Sequence, residues 1–289
     1  MVSVKAIIGY LLYTLLAVIL FLYLLFPGKA VKALMNARLA NIDPSLSMVV
    51  DTIRPALPPG LKMTGVDLKS DSRRLIHLDD ARVTPDLTSL LSAEKQVRFQ
   101  GRLAGGTFQG SATLDNSNAR ERMRAEADLS QIQLDKLDRL KAIDRFSLAG
   151  ALQGHITHDD ARAPGGMTNG TLTISGLRIN LKSPIFGLTD LTMNKADADF
   201  SIMGQRMRLK ALSFDGPMAE GKISGTIELR KPLEQSRLNL TVNAKPHPEL
   251  IARLQTTVAR GFLNTRTLGT RGLTFRIRGS LDSPSVSLR

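Results

Sequence analysis

Apolar positions along this chain follow three successive spacings. Residues 6–26, AIIGYLLYTLLAVILFLYLLF, form an apolar run without a charged side chain. As a helix rising ~1.5 Å per residue, the run covers roughly 31 Å, enough for the hydrocarbon core of a bilayer. Ala6, Leu16, Leu20 and Phe26 lie along it, and Tyr10 and Tyr23 fall where aromatic rings meet headgroups. The run is longer than a signal-peptide core and stops at Pro27-Gly28 without a small-x-small cleavage site. A membrane anchor is predicted. Residues 29–40, KAVKALMNARLA, then place Val31, Leu34, Met35 and Leu39 at helical spacing with a basic opposite face. This predicts a juxtamembrane helix, ended by Asp43-Pro44. From about residue 61 the spacing becomes two. Ile223, Gly225, Ile227 and Leu229 alternate with polar residues, as do Leu238, Leu240 and Val242, and Leu273, Phe275 and Ile277. Such alternation predicts antiparallel strands with one buried and one wet face. Only 134–143 and 248–260 read as further helices, both short.

An internal repeat organises the strands. FQGRLAGGTFQGSATL (99–114) lies over FDGPMAEGKISGTIEL (214–229) at an offset of 115 residues without a gap. Phe99 meets Phe214, and Gly101, Gly106 and Gly110 meet Gly216, Gly221 and Gly225. Phe108 and Ile223 are apolar in both copies. Arg122-Met123 then lies over Arg237-Leu238, a short helix follows in each copy, and FSLAGAL from Phe146 lies over FRIRGSL from Phe275. The predicted unit is hairpin, strand, short helix, strand.

The second copy contains Gly216, Gly221 and Lys222 at P-loop spacing, with Ile223 in the hydroxyl position. A P-loop needs a helix N-terminus after the lysine to hold phosphate. Here the spacing after Lys222 is two, and the first copy has Thr107 in place of the lysine. The glycines read instead as turns, bulges and bends of a curved sheet.

Charge narrows the partners. The chain carries 39 Lys and Arg against 26 Asp and Glu, a net +13, which favours anionic partners. Aromatic residues are 4% and Trp is absent, which argues against stacking on single-stranded nucleic acid. Without Cys there are no disulfides, thiolate metal sites or Cys nucleophiles. His155 and His158, beside Asp159 and Asp160, are the nearest approach to a metal set, but residues three apart on a strand face opposite ways. No Ser/His/Asp set stands out. The chain is therefore expected to be non-enzymatic, with no catalytic, cofactor or metal site.

The candidate working surface is the apolar face of the sheet: Phe99, Phe108, Phe214, Ile223, Ile227, Leu229, Leu238, Leu240, Phe275 and Ile277. There is too little helix to cover it. The sheet either packs its own side chains together or leaves an apolar groove for a lipid or a partner strand. The last strand, near LDSPSVSLR, is a candidate open edge.

Taken together, LLFPGKAVKALMNARLA, VDTIRPALPPGLKMTGVDL and the closing FRIRGSLDSPSVSLR resemble the type II secretion system protein N family (general secretion pathway protein N). They also resemble the wider AsmA-like group of membrane-anchored periplasmic proteins. The resemblance runs along nearly the whole chain. It implies a bacterial inner-membrane anchor with the C-terminal domain in the periplasm, an orientation that Lys5 before the span and Lys29, Lys32 and Arg38 after it do not decide. It also implies an accessory role among other secretion-system subunits, or a lipid-binding or lipid-transfer module in the AsmA-like manner. The expected architecture is mainly β: a cytoplasmic stub and single transmembrane helix (1–28), a juxtamembrane amphipathic helix (29–44), and a curved, largely antiparallel sheet, open or half-closed, in two periplasmic repeats (45–160 and 161–289).

Overall fold

The computed structural model describes residues 4–57, 59–71, 73–115, 122–141, 146–162, 165–185, 188–248, 250 and 272–288. Two helices, α1 (Val4–Leu24) and α2 (Gly28–Ile42), precede one sheet. Its strands are β1 (Leu46–Ala56), β2 (Gly60–Ser70), β3 (Arg73–Pro85), β4 (Glu94–Leu103), β5 (Gly106–Asp115), β6 (Arg122–Gln133) and β7 (Phe146–Asp159). There follow β8 (Met167–Ile185), β9 (Leu188–Met203), β10 (Arg206–Asp215), β11 (Ala219–Glu228), β12 (Arg237–Pro246), β13 (Leu273–Ser280) and β14 (Pro284–Leu288). The fourteen strands pair in chain order, each antiparallel to its sequence neighbours. The expected mainly-β, antiparallel class is therefore present.

Four details refine the expected layout. Leu57-Pro58-Pro59-Gly60 separates two paired strands, and β1 already begins at Leu46, ahead of the residue where regular alternation sets in. Alternation is broken there because Val50 and Ile53, three apart, are both buried; the chain bends opposite Gly65, whose φ is +59°. Pro55 is tolerated because β1 is an edge strand. The helix expected at 134–143 is a 3₁₀ turn, Leu134–Lys136, followed by the single turn α3, Asp138–Lys141. The one expected at 248–260 lies almost wholly outside the described residues. Finally, β7 and β8 pair from Phe146↔Leu181 to Asp159↔Met167, so the sheet runs unbroken past residue 160.

The gapless repeat holds on one strand and slips on the one before it. Phe108, Gly110 and Ala112 of β5 occupy the same rungs as Ile223, Gly225 and Ile227 of β11. Phe99, however, pairs with Gly110, whereas Phe214 pairs with Gly221. The β10–β11 connection is longer than the two-residue β4–β5 turn, and β10 shifts register between Leu209 and Leu212.

The expected N-terminal helix exists as α1, and Tyr10 and Leu20 on it are exposed. Among the described residues no helix is long and apolar enough to cross a membrane. The side chains at 4–8, 12, 15, 16, 19 and 22, Ala6 and Leu16 among them, lie outside those residues. Phe26, just after α1, packs with Val31 and Met35 of α2 onto Val50, Ile53, Met63 and Val66. A second core gathers Leu134, Leu177, Ala196 and Phe214, with Leu137 and Leu140 set against it.

Candidate functional site

The register joins the alternating strands into apolar ladders that cross the sheet. One ladder runs Ile53, Met63, Ala81, Gly101, Phe108, Leu129, Gly154, Leu172, Ala198, Leu212, Ile223, Val242, Phe275, Leu288. Every position is apolar or glycine, one from each strand. The next ladder holds Phe99, Gly110, Ala127, Ile156, Gly170, Phe200, Leu209, Gly225, Leu240 and Ile277. Ile227 and Leu238 face each other on a third, and Phe214 stands between Ala196 and Gly221 on a fourth. Nine of the ten face residues expected from the sequence thus meet on one surface. Leu229 lies one residue past β11, its N–H bonded to the Gln205 carbonyl at 2.7 Å.

This face is only partly covered. Helix α2 packs on it at β1–β3, and the turn after β6 packs on it near β7. Away from these, Leu129, Leu172 and Ala198 remain half-buried, as do Leu212, Ile223 and Val242, which border the second core. The opposite face is polar and laced with ion pairs, among them Arg102–Asp80, Lys210–Asp199 at 3.0 Å and Lys195–Asp197 at 2.8 Å. Lys195 and the Thr173 hydroxyl hold the Asp197 carboxyl below its ordinary range.

Within the strands the glycines have a role that register alone reveals. A Cβ at Gly110 would stand 2.6 Å from the Phe99 ring, at Gly101 2.8 Å from Phe108, at Gly170 2.4 Å from Phe200, and at Gly221 2.7 Å from Phe214. Each glycine therefore lies beneath a cross-strand phenylalanine. The ring fills the place of the missing side chain, a device that lets a sheet curve without losing apolar cover.

The two edges of the sheet differ. At β1, Asn36 of α2 donates to the Met48 carbonyl (2.9 Å) and accepts from the Met48 N–H (2.7 Å), as a neighbouring strand residue would. Lys32 donates to the carbonyls of Val50 and Asp51. The first edge is thus closed by the chain's own helix. At the other edge, among the described residues, β14 pairs with β13 alone.

Long-range contact shows that the sheet coils. Lys231, between β11 and β12, pairs with Asp43, just before β1. In a flat sheet ten strand steps would separate these elements by about 48 Å. A twist of roughly 20–25° per strand carries the sheet through more than half a turn over that distance. Hydrogen bonds from Lys231, then from the Ser45 N–H and hydroxyl, lower the Asp43 pKa to about 2.

The histidines lie on opposite faces. His155 meets Asp128 at 2.7 Å on the polar side, and His158 contacts Thr168 at 2.8 Å and Asp160 at 2.9 Å. Among the described residues no three His, Asp or Glu side chains converge to hold a metal ion. Lys222 sits within β11, so a strand and not a helix carries the apparent P-loop lysine. Compared with known proteins, the chain matches no family model, no curated protein and no solved structure.

Proposed function

We propose that this chain is a non-enzymatic accessory subunit of a type II protein secretion system, held in the bacterial inner membrane by α1 and working through its sheet in the periplasm. The observation that carries the protein-contact part is the inequality of the edges. The first is closed by Asn36 and Lys32, while β14 offers backbone groups to a strand from another chain. The setting rests on the resemblance of the LPPGL and closing-strand segments. The anchor rests on the apolar run and on the exposure of Tyr10, Leu11, Tyr13, Val18, Leu20, Phe21, Tyr23 and Leu24, where a helix lying on a protein in water would turn its apolar residues inward. The test is deletion of the gene in a strain with an active secretion system. Loss of secreted exoproteins, restored by the full chain but not by a chain ending before β14, is expected; unchanged secretion would sink the proposal.

A second reading, an AsmA-like lipid-binding or lipid-transfer module, is favoured by the apolar ladders. A half-buried apolar surface continuous from β4 to β13 suits acyl chains laid along it. Native mass spectrometry of the full chain released from nanodiscs is expected to show retained phospholipid. Leu172→Asp together with Ile223→Asp should abolish its retention, and a wild-type chain free of lipid would refute this reading.

A further inference from the structure

We infer that the end of the sheet where β1 turns into β2 is a docking surface for an anionic phospholipid bilayer. This rests on the anchor reading above and adds a second membrane contact to it.

The path of the chain points this end toward the anchor. Helix α2 runs antiparallel to β1: Asn36 bonds at Met48, Lys32 at Val50 and Asp51, and a Cβ at Gly28 would stand 3.6 Å from the Ile53 carbonyl. Residue 28 therefore reaches the Ala56 end of β1, where α1 departs.

At that same end the surface is apolar at its tips and basic behind them. Leu57, in the β1–β2 turn, is 71% exposed; Leu87 and Leu91, in the β3–β4 connection, are 53% and 97% exposed. Single exposed leucines are ordinary, but three tips at one end of the sheet, the last almost fully in water, are a concentration that calls for a cover. Behind them Arg54, Lys62 and Arg82 stand directly opposite one another on β1, β2 and β3. Like charges so placed repel across a sheet, unless an anion lies over them. Arg82 also donates to the Leu57 carbonyl and so braces the turn. Among the described residues neither Arg54 nor Lys62 has an acidic partner. At these four strand ends, residues 52–62 and 81–98, five cations (Arg54, Lys62, Arg82, Lys95, Arg98) face two carboxylates (Asp86, Glu94), a surplus of three. Asp86, held ionised by Thr88, offsets Arg98 at 3.6 Å, so the surplus rests on the β1–β3 row. Leucine tips ahead of a row of cations match the two layers of a bilayer surface, acyl chains beneath anionic headgroups.

The absence of Trp from the chain supplies the test. The full chain is reconstituted in vesicles whose acyl chains carry bromine, with and without anionic lipid. A Leu91→Trp probe should show blue-shifted emission and bromine quenching in anionic vesicles. An Ile76→Trp probe, near the far end of β3, should show neither. Adding Arg54→Glu and Lys62→Glu should reduce the anionic-dependent quenching at position 91 by at least roughly fivefold per charge. An unquenched Leu91→Trp probe, or equal quenching at position 76, would overturn the inference. Resistance of the chain to an alkaline wash is scored separately and reports on α1. A chain that washes off yet is quenched at position 91 before the wash refutes the anchor and keeps the docking surface.

Discussion

At the scale of single residues, the sheet depends on glycines lying under rings. Gly110 is the clearest case, since a Cβ there would come within 2.1 Å of the Glu126 carbonyl oxygen and 2.6 Å of the Phe99 ring. The backbone oxygen cannot swing aside as a flexible side chain could. Gly110→Ala is therefore expected to destabilise the chain by about 1–3 kcal/mol, as overpacking does. Gly9→Ala, where nothing lies within 4 Å, should leave stability unchanged or slightly raised. Urea unfolding of the two variants checks this. The glycines were visible in the sequence, and their spacing exposed the correspondence of β5 with β11. What they do was not visible. Phe99 and Gly110 are eleven positions apart, and only the strand register brings one over the other. The same lack of register hides the four-residue difference between Phe99 and Phe214, because a sequence aligned without gaps assumes turns of equal length.

At the scale of elements, α2 acts as a surrogate strand. Its spacing announces a helix with an apolar stripe, and Val31 and Met35 do pack on the first core. That Asn36 supplies both halves of a backbone pair is a tertiary fact, set by where the helix crosses β1. Asn36→Ala removes both hydrogen bonds to Met48 and a longer one to the Lys32 carbonyl, expected to cost about 1–3 kcal/mol in total. It also bares an edge, so the variant should form larger species on size-exclusion chromatography while the wild type does not. Asn36→Asp, which keeps an acceptor and loses the donor, should fall between them. An Asn36→Ala variant as stable and as monodisperse as the wild type would mean that the helix is only lying alongside.

At the scale of the whole molecule, the coil is recorded by one ion pair. The folded Asp43 carboxyl, at about 2, lies below the ordinary value near 3.9, so its contribution to stability is complete above about pH 4 and is lost as pH falls toward 2. The wild type should exceed Asp43→Asn in urea midpoint at pH 5, and the gap should close by pH 2. Asp67, bonded to His77 and near Arg74, is lowered in the same direction, so both proteins weaken in acid and the difference between them is the quantity to read. A gap that does not narrow would show that the Lys231 contact does not form. The sequence predicts a curved sheet from strand glycines and scarce helix, but how far it coils is a sum of small twists that no local pattern encodes.

Among the described residues every strand pairs with its sequence neighbours alone, which makes the sheet divisible by hairpins. Excising a hairpin such as β8–β9 would leave β7 and β10 running in the directions needed to meet, and would shorten the sheet by two spacings, about 10 Å. No other strand would change partner. Chain length therefore acts as a ruler: the distance that the apolar face covers from its β1 edge is counted in hairpins, and evolution can add or subtract them without redesigning the rest.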